Sequence, residues 1–178
     1  FISSLVAQPQ SPKSLDAAEL RLAIKKLSVL GSVLFIAAHP DDENTAFLAS
    51  MAKGRLMRSA YLAVTRGEGG QNLLGAEQGN LMGVIRTQEL LAARRVDGSE
   101  QFFTRAIDFG YSKNLEETMR IWGKERILSD VVWVIRSYRP DVVVMRFTPT
   151  QGGAWEPHEF CSSRRGGVCS SRRSAPIS

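Results

Sequence analysis

Two kinds of apolar pattern alternate along the chain, one at helical spacing and one in short, nearly continuous runs. From Asp16 to Leu30 the apolar positions Leu20, Leu22, Ile24, Leu27 and Leu30 predict a helix, capped by Ser14 or Asp16 and ended by Gly31. Ser32 to Ala38 is apolar almost throughout, as a strand covered on both faces should be. A helix beginning at Asp42 or Glu43 runs through Ala46, Phe47, Leu48, Met51 and Ala52 and is closed by Gly54. Met57 to Thr65 reads as a second strand, with Arg66-Gly67-Glu68-Gly69-Gly70 as its exit loop and a long polar loop to about Gly79. Leu81 to Arg95 is an amphipathic helix, and Gln101 to Ile107 a third strand. Leu115 to Tyr138 is helical with an interruption near Gly123, Pro140 stops it, and Asp141 to Phe147 holds a fourth buried strand.

Strands alternating with helices predict an α/β domain, a Rossmann-like three-layer sandwich with a mainly parallel sheet. In such sheets functional residues gather beyond the carboxyl ends of the strands. His39, Glu68, Asp108 and Thr148 all follow predicted strand ends. Residues 1–15 read as a leader or linker and 16–153 as the domain. Residues 154–178, where Ser, Arg, Gly and Cys prevail without a helical or strand period, read as a disordered tail.

Composition narrows the classes. At 178 residues with 43% hydrophobic and 23% charged side chains, the chain is that of one ordinary globular domain. Its net charge of +5 includes four arginines against two glutamates in the tail, so the body has nineteen basic and sixteen acidic side chains. No concentrated basic stripe marks a nucleic-acid binder. Both cysteines, Cys161 and Cys169, lie in the tail. Phe1 to Ala7 reads either as the end of a signal peptide, which points to a secreted or periplasmic protein, or as a frayed apolar start, which leaves a cytoplasmic one open. No run reaches the ~18–20 apolar residues that span a bilayer.

The chemistry concentrates in Ala38-His39-Pro40-Asp41-Asp42-Glu43, at the mouth of the first strand. An imidazole beside adjacent carboxylates is costly to bury for packing alone and is typical of metal sites. The chain has only one other histidine, His158. A catalytic zinc takes three protein ligands and keeps one position for water, whose proton is lost near neutral pH. One aspartate can ligate while its neighbour takes a proton from that water. A helix start rich in acidic residues explains the same stretch without any metal. Arg86 and Glu89, spaced i, i+3, are compatible with a surface ion pair. The glycines after Thr65 fit no phosphate-binding spacing and read as a turn. An oxygen-only magnesium site is disfavoured by His39.

The strand followed by His39-Pro40-Asp41-Asp42-Glu43 resembles the LmbE-like (PIG-L) zinc de-N-acetylases, and the likeness extends through Thr65-Arg66-Gly67-Glu68, Arg86 with Glu89, and Arg139-Pro140-Asp141-Val142-Val143. The resemblance implies a zinc cofactor and a small N-acylated sugar or glycoconjugate as substrate, with no nucleic-acid partner. It also implies His39 and Asp42 as metal ligands, Asp41 as general base, and Arg86 and Asp108 as substrate-binding residues. A metal-dependent sugar- or glycolipid-binding module without catalysis is the alternative.

The pattern breaks after Gly153. Family members complete the site with a glycine-rich segment whose last histidine is the third ligand, the histidine before it stabilising the oxyanion. This chain instead reads Ala154-Trp155-Glu156-Pro157-His158. Reading from the second base of the Ala154 codon permits His-Gly-Asn-His-Met-Asn-Ser, which restores the motif, so a frameshift is expected there, with a natural divergent tail as the alternative. His158, one residue later than the restored ligand, is the candidate substitute if the loop rearranges. Such a slip moves an extended segment by ~3.3 Å and reverses its side-chain direction. Impaired activity and a sheet left incomplete at its C-terminal side, with an exposed edge, are therefore expected of the chain as it stands.

Overall fold

Residues on alternate sides of the central strands meet different helices, and this alternation builds the two faces of the sheet. The computed structural model describes residues 15–110, 115–146 and 168–170. Strands β1 (Ser32–Ala37), β2 (Arg58–Ala63), β3 (Glu100–Phe103) and β4 (Val142–Met145) pair in parallel in the order β3-β2-β1-β4. Helices α2 (Thr45–Ala49) and α3 (Asn80–Asp97) connect the first three strands, and α4 (Leu115–Trp122) and α5 (Lys124–Tyr138) lead back to β4. On one face Leu34, Ala60 and Leu62 pack against Ile127, Val131, Val134 and Tyr138 of α5. On the other, Phe35, Ala37, Tyr61 and Ala63 pack against Leu48 of α2 and Leu90 of α3. The result is the three-layer, mainly parallel α/β sandwich that the pattern predicts. Each large side chain fully buried in these clusters contributes roughly 1.5–3 kcal/mol.

The order of strands places a switch point at β1. The chain moves from β1 to β2 and β3, then crosses back to lay β4 on the other side of β1. In open α/β sheets such a switch point is where ligand sites lie, beyond the carboxyl end of the strand, here at the residues after Ala37.

Element ends differ from the pattern for local reasons. Helix α1 (Ala17–Lys26) starts on a capping box between Asp16 and Glu19 and stops short of Leu30, with Lys25 and Lys26 in its last turn. It buries no residue; Leu20 is 50% and Leu27 80% exposed. Helix α2 begins at Thr45 because Asn44, not Asp42 or Glu43, supplies the cap, accepting a hydrogen bond from the Phe47 amide at 2.9 Å. One π-type turn, Ser50–Gly54, follows it. Strand β3 ends at Phe103, since the Thr104 hydroxyl takes the Val64 carbonyl at 2.6 Å in place of a further ladder bond. Gly123, at φ +77°, separates α4 from α5 at the predicted interruption.

A short strand, β5 (Val168–Ser170), pairs antiparallel with β4, although the sequence there carries no strand period. Residues 1–14 of the expected 1–15 leader, Thr148 and the Gly152-Gly153 pair lie outside the described residues, as does His158.

Candidate functional site

β1 delivers the site. Its register with β2 runs to Ala37 opposite Ala63, and the next backbone groups stay tied to β2, with the Ala38 carbonyl accepting from the Thr65 amide at 2.9 Å. The chain then turns on itself: the Asp42 side chain accepts from the His39 amide at 2.9 Å, and the Asp42 amide donates to the His39 carbonyl at 3.3 Å. The buried Tyr61 hydroxyl donates to the same carbonyl from beneath. Burial of Tyr61 raises its pKa far above the ordinary phenol value, so the hydroxyl stays protonated as a donor. Gly67, at φ +74°, lets the β2 exit loop pass over Pro40; a Cβ there would meet the proline ring at 3.0 Å.

This turn sorts the two aspartates. The His39 ring presents Nδ1 to Asp42 Oδ2 at 3.3 Å and Nε2 to Asp108 Oδ1 at 3.8 Å. Asp41 points elsewhere, its Oδ2 3.4 Å from Arg86 Nη2, while Arg86 Nη1 bonds Glu89 at 2.9 Å. Asp41 is 75% exposed, whereas Asp42 and Asp108 are 17% and 8% exposed. Burial works against the Asp42 carboxylate, yet hydrogen bonds from the His39 side chain and amide, and the charges of His39 and Arg146, hold its pKa below 3.8. Burial pushes Glu43 the other way, above 4.5, against its bond to Arg94.

Asp108 reaches the site from the segment after β3. Its amide donates to Glu68 Oε2 at 3.1 Å, and its own Oδ1 accepts from the Gly110 amide at 2.9 Å. Glu68 also accepts from the Arg66 amide and packs on Gly83, where a Cβ would come within 2.8 Å of it. The glycine-containing loop after β2 is thus a turn, as read, and also a brace for Asp108. A cleft of about 410 Å³ opens beside the turn, lined among others by Asp41, Glu43, Arg86 and Glu89. A second, of about 330 Å³, is lined by Arg66, Glu68, Asn80 and Thr87 among others.

The donor set suits a divalent metal in part. An imidazole nitrogen and a carboxylate kept ionised converge between β1 and α2, the N/O donor chemistry that zinc accepts. Among the described residues, no three His, Cys, Asp or Glu side chains are grouped closely enough to hold a metal. The third expected ligand, His158, lies outside the described residues.

The family model described as PIG-L, GlcNAc-PI de-N-acetylase, matches residues 34–163, which include the His39 turn, Arg86 and Asp108. The chain belongs to the PIG-L family. Among functionally curated proteins none matches it. Two solved structures share the fold of this PIG-L chain at a TM-score of 0.50. One is the 4-carboxy-2-hydroxymuconate hydratase GalB of Pseudomonas putida KT2440, at 19% identity over 65% of this chain and 46% of that one. The other is the N,N'-diacetylchitobiose deacetylase of Pyrococcus horikoshii, at 17% identity over 85% of this chain and 55% of that one. The chain spans about half the length of these structures, and identities this low establish the fold alone.

Three participants escape the sequence reading, Tyr61, Arg94 and Asp97, while Glu43 and Glu68 are placed there by position but without the contacts they make. A signal for one group is present, because Arg94 and Asp97 follow Leu90 at i+4 and i+7 and so sit on the apolar stripe of α3. A charge on a buried stripe needs a partner, and Glu43 is that partner.

Proposed function

We propose that this PIG-L domain is a zinc-dependent hydrolase that removes an N-acetyl or related N-acyl group from an N-acetylglucosamine-type amide. The observation that carries the reading is the turn after β1, inside the family match, where His39 and Asp42 converge at 3.3 Å. His39 and Asp42 would hold the metal together with a histidine from the segment after Gly153, either His158 or its frameshift-restored counterpart. Bound zinc supplies Lewis acidity, polarising the acyl carbonyl and making a water acidic. Asp41 is the general base: exposed on the cleft and steered by Arg86, it takes a proton from the attacking water and returns it to the departing amine. Arg86 and Asp108 line the path of the sugar. The substrate is a small molecule; among the described residues no helix is long and apolar enough to cross a membrane.

The test is acetate release from an N-acetylglucosamine glycoside by the chain as it stands and by a version with the restored His-Gly-Asn-His segment. We expect zinc-dependent release by the restored form, at least ~100-fold weaker in the present chain for want of the oxyanion histidine, and abolished by Asp41→Asn. A restored form that binds zinc and releases no acetate overturns the hydrolase reading. A non-catalytic, metal-dependent sugar- or glycolipid-binding module is the second reading, favoured by the sequence after Gly153, which reads Ala154-Trp155-Glu156-Pro157-His158 and lacks the oxyanion histidine. Saturable sugar binding without amine release marks that outcome.

A further inference from the structure

Beneath the His39 turn lies a charged cluster that the proposed chemistry does not use. Arg94, near the end of α3, has a side chain only 4% exposed. Its Nη2 lies 3.2 Å from Glu43 Oε1 and 2.8 Å from Asp97 Oδ2, and its guanidinium sits 5.4 Å from the centre of the Tyr61 ring. Glu43 and Asp97 are 6% and 7% exposed. Such a cluster is a poor device for stability, since the desolvation of buried ions can outweigh their attraction. It is also incompletely satisfied: Glu43 Oε2 and Arg94 Nε have no hydrogen-bond partner, and Asp97 Oδ2 has its ion pair with Arg94 but no hydrogen bond of good geometry.

Its geometry gives it another use. Asp41 and Glu43, the acidic residues on either side of Asp42, are each gripped by an arginine of one helix, Arg86 and Arg94. Tyr61, beneath the arginine of that pair, holds the His39 carbonyl. With its neighbours drawn toward α3 and its first carbonyl held from β2, the turn leaves the His39 and Asp42 side chains facing each other.

We propose that Arg94 is a positioning residue that, through Glu43 and Tyr61, locks the His39–Glu43 turn in the geometry that brings His39 and Asp42 together. The inference rests on the metal reading of those two residues for its purpose, and on the geometry alone for its mechanical content. Two variants of the full chain test it. E43M/R94M/D97N replaces the ions by groups of similar size and keeps an acceptor for the Ser99 amide, which bonds Asp97 Oδ1 at 2.8 Å. Arg94→Lys keeps the charge but not the planar fork that spans two carboxylates.

Amide exchange is measured in chelator, and Co²⁺ uptake by titration. We expect the triple variant to melt no lower than the parent, while the His39 and Asp42 amides exchange at least ~10-fold faster and Co²⁺ affinity falls ~10–100-fold. The Val64 amide, bonded to Ala37 in the sheet, serves as the control and keeps its protection. Arg94→Lys gives an intermediate acceleration, which keeps the test alive if the triple variant does not fold. Unchanged exchange at His39 and Asp42 in either folded variant overturns the proposal. So does acceleration shared equally by Val64, the mark of a merely structural role. A parent that takes up no Co²⁺ either as it stands or with the restored segment overturns the metal reading, while the exchange rates still decide the part played by Arg94.

Discussion

At the scale of single residues, one backbone conformation and one ion pair give sharp expectations. Gly67 combines a left-handed φ with a Pro40 ring at 3.0 Å from any Cβ. Gly67→Ala should therefore destabilise the fold by about 1–3 kcal/mol in urea unfolding, from backbone strain and displacement of Pro40. Asp130 accepts from the Arg105 guanidinium at 2.7–3.1 Å and from the Arg105 amide at 3.0 Å. The guanidinium bonds hold its pKa below 3.8, burial opposes weakly, and the amide adds to the depression. A depressed native pKa means a stabilising contribution present above the unfolded value and lost as pH falls through the native one. The stability gap between the parent and Asp130→Asn should thus be open above 3.8 and close in more acid solution, followed by circular dichroism.

At the scale of elements, the sheet and its covering helices carry the stability and α1 does not. Leu62 is fully buried between β2 and α5, whereas Leu27 at the end of α1 is 80% exposed. Leu62→Ala should cost about 2–5 kcal/mol, and Leu27→Ala less than about 0.5 kcal/mol, in the same unfolding experiment. The contrast also shows how far periodicity reaches. Helical spacing in residues 16–30 and 81–95 announces both α1 and α3 equally well, because it reports only local conformation. Burial depends on what the element meets, and α3 meets the sheet while α1 buries nothing. The start of α2 was less legible, since three neighbouring residues, Asp41, Asp42 and Asn44, can each cap a helix. Asp42 is withdrawn from that competition by its bonds to His39, and Asn44 takes the role.

At the scale of the molecule, the switch point at β1 gathers segments distant in sequence. The His39 turn, the Glu68 loop, the Asp108 segment and α3 converge there. If that convergence serves a metal, zinc at 100 times its dissociation constant should stabilise the native state by about 2.7 kcal/mol. A chelator should reverse the gain, and His39→Ala should remove it. Thermal melting with and without zinc is the check.

Read without its fold, the chain already identified a mainly parallel, helix-covered sheet and singled out His39, Asp41 and Asp42, because strand and helix periods and a turn motif are written in neighbouring residues. The directions the two aspartates take came only with the folded backbone, which turns Asp42 toward the imidazole and Asp41 toward Arg86. The pairing of Arg94 with Glu43, 51 positions apart, likewise depends on the azimuth at which α3 lies on the sheet. Packing sets that angle, and no local pattern encodes it.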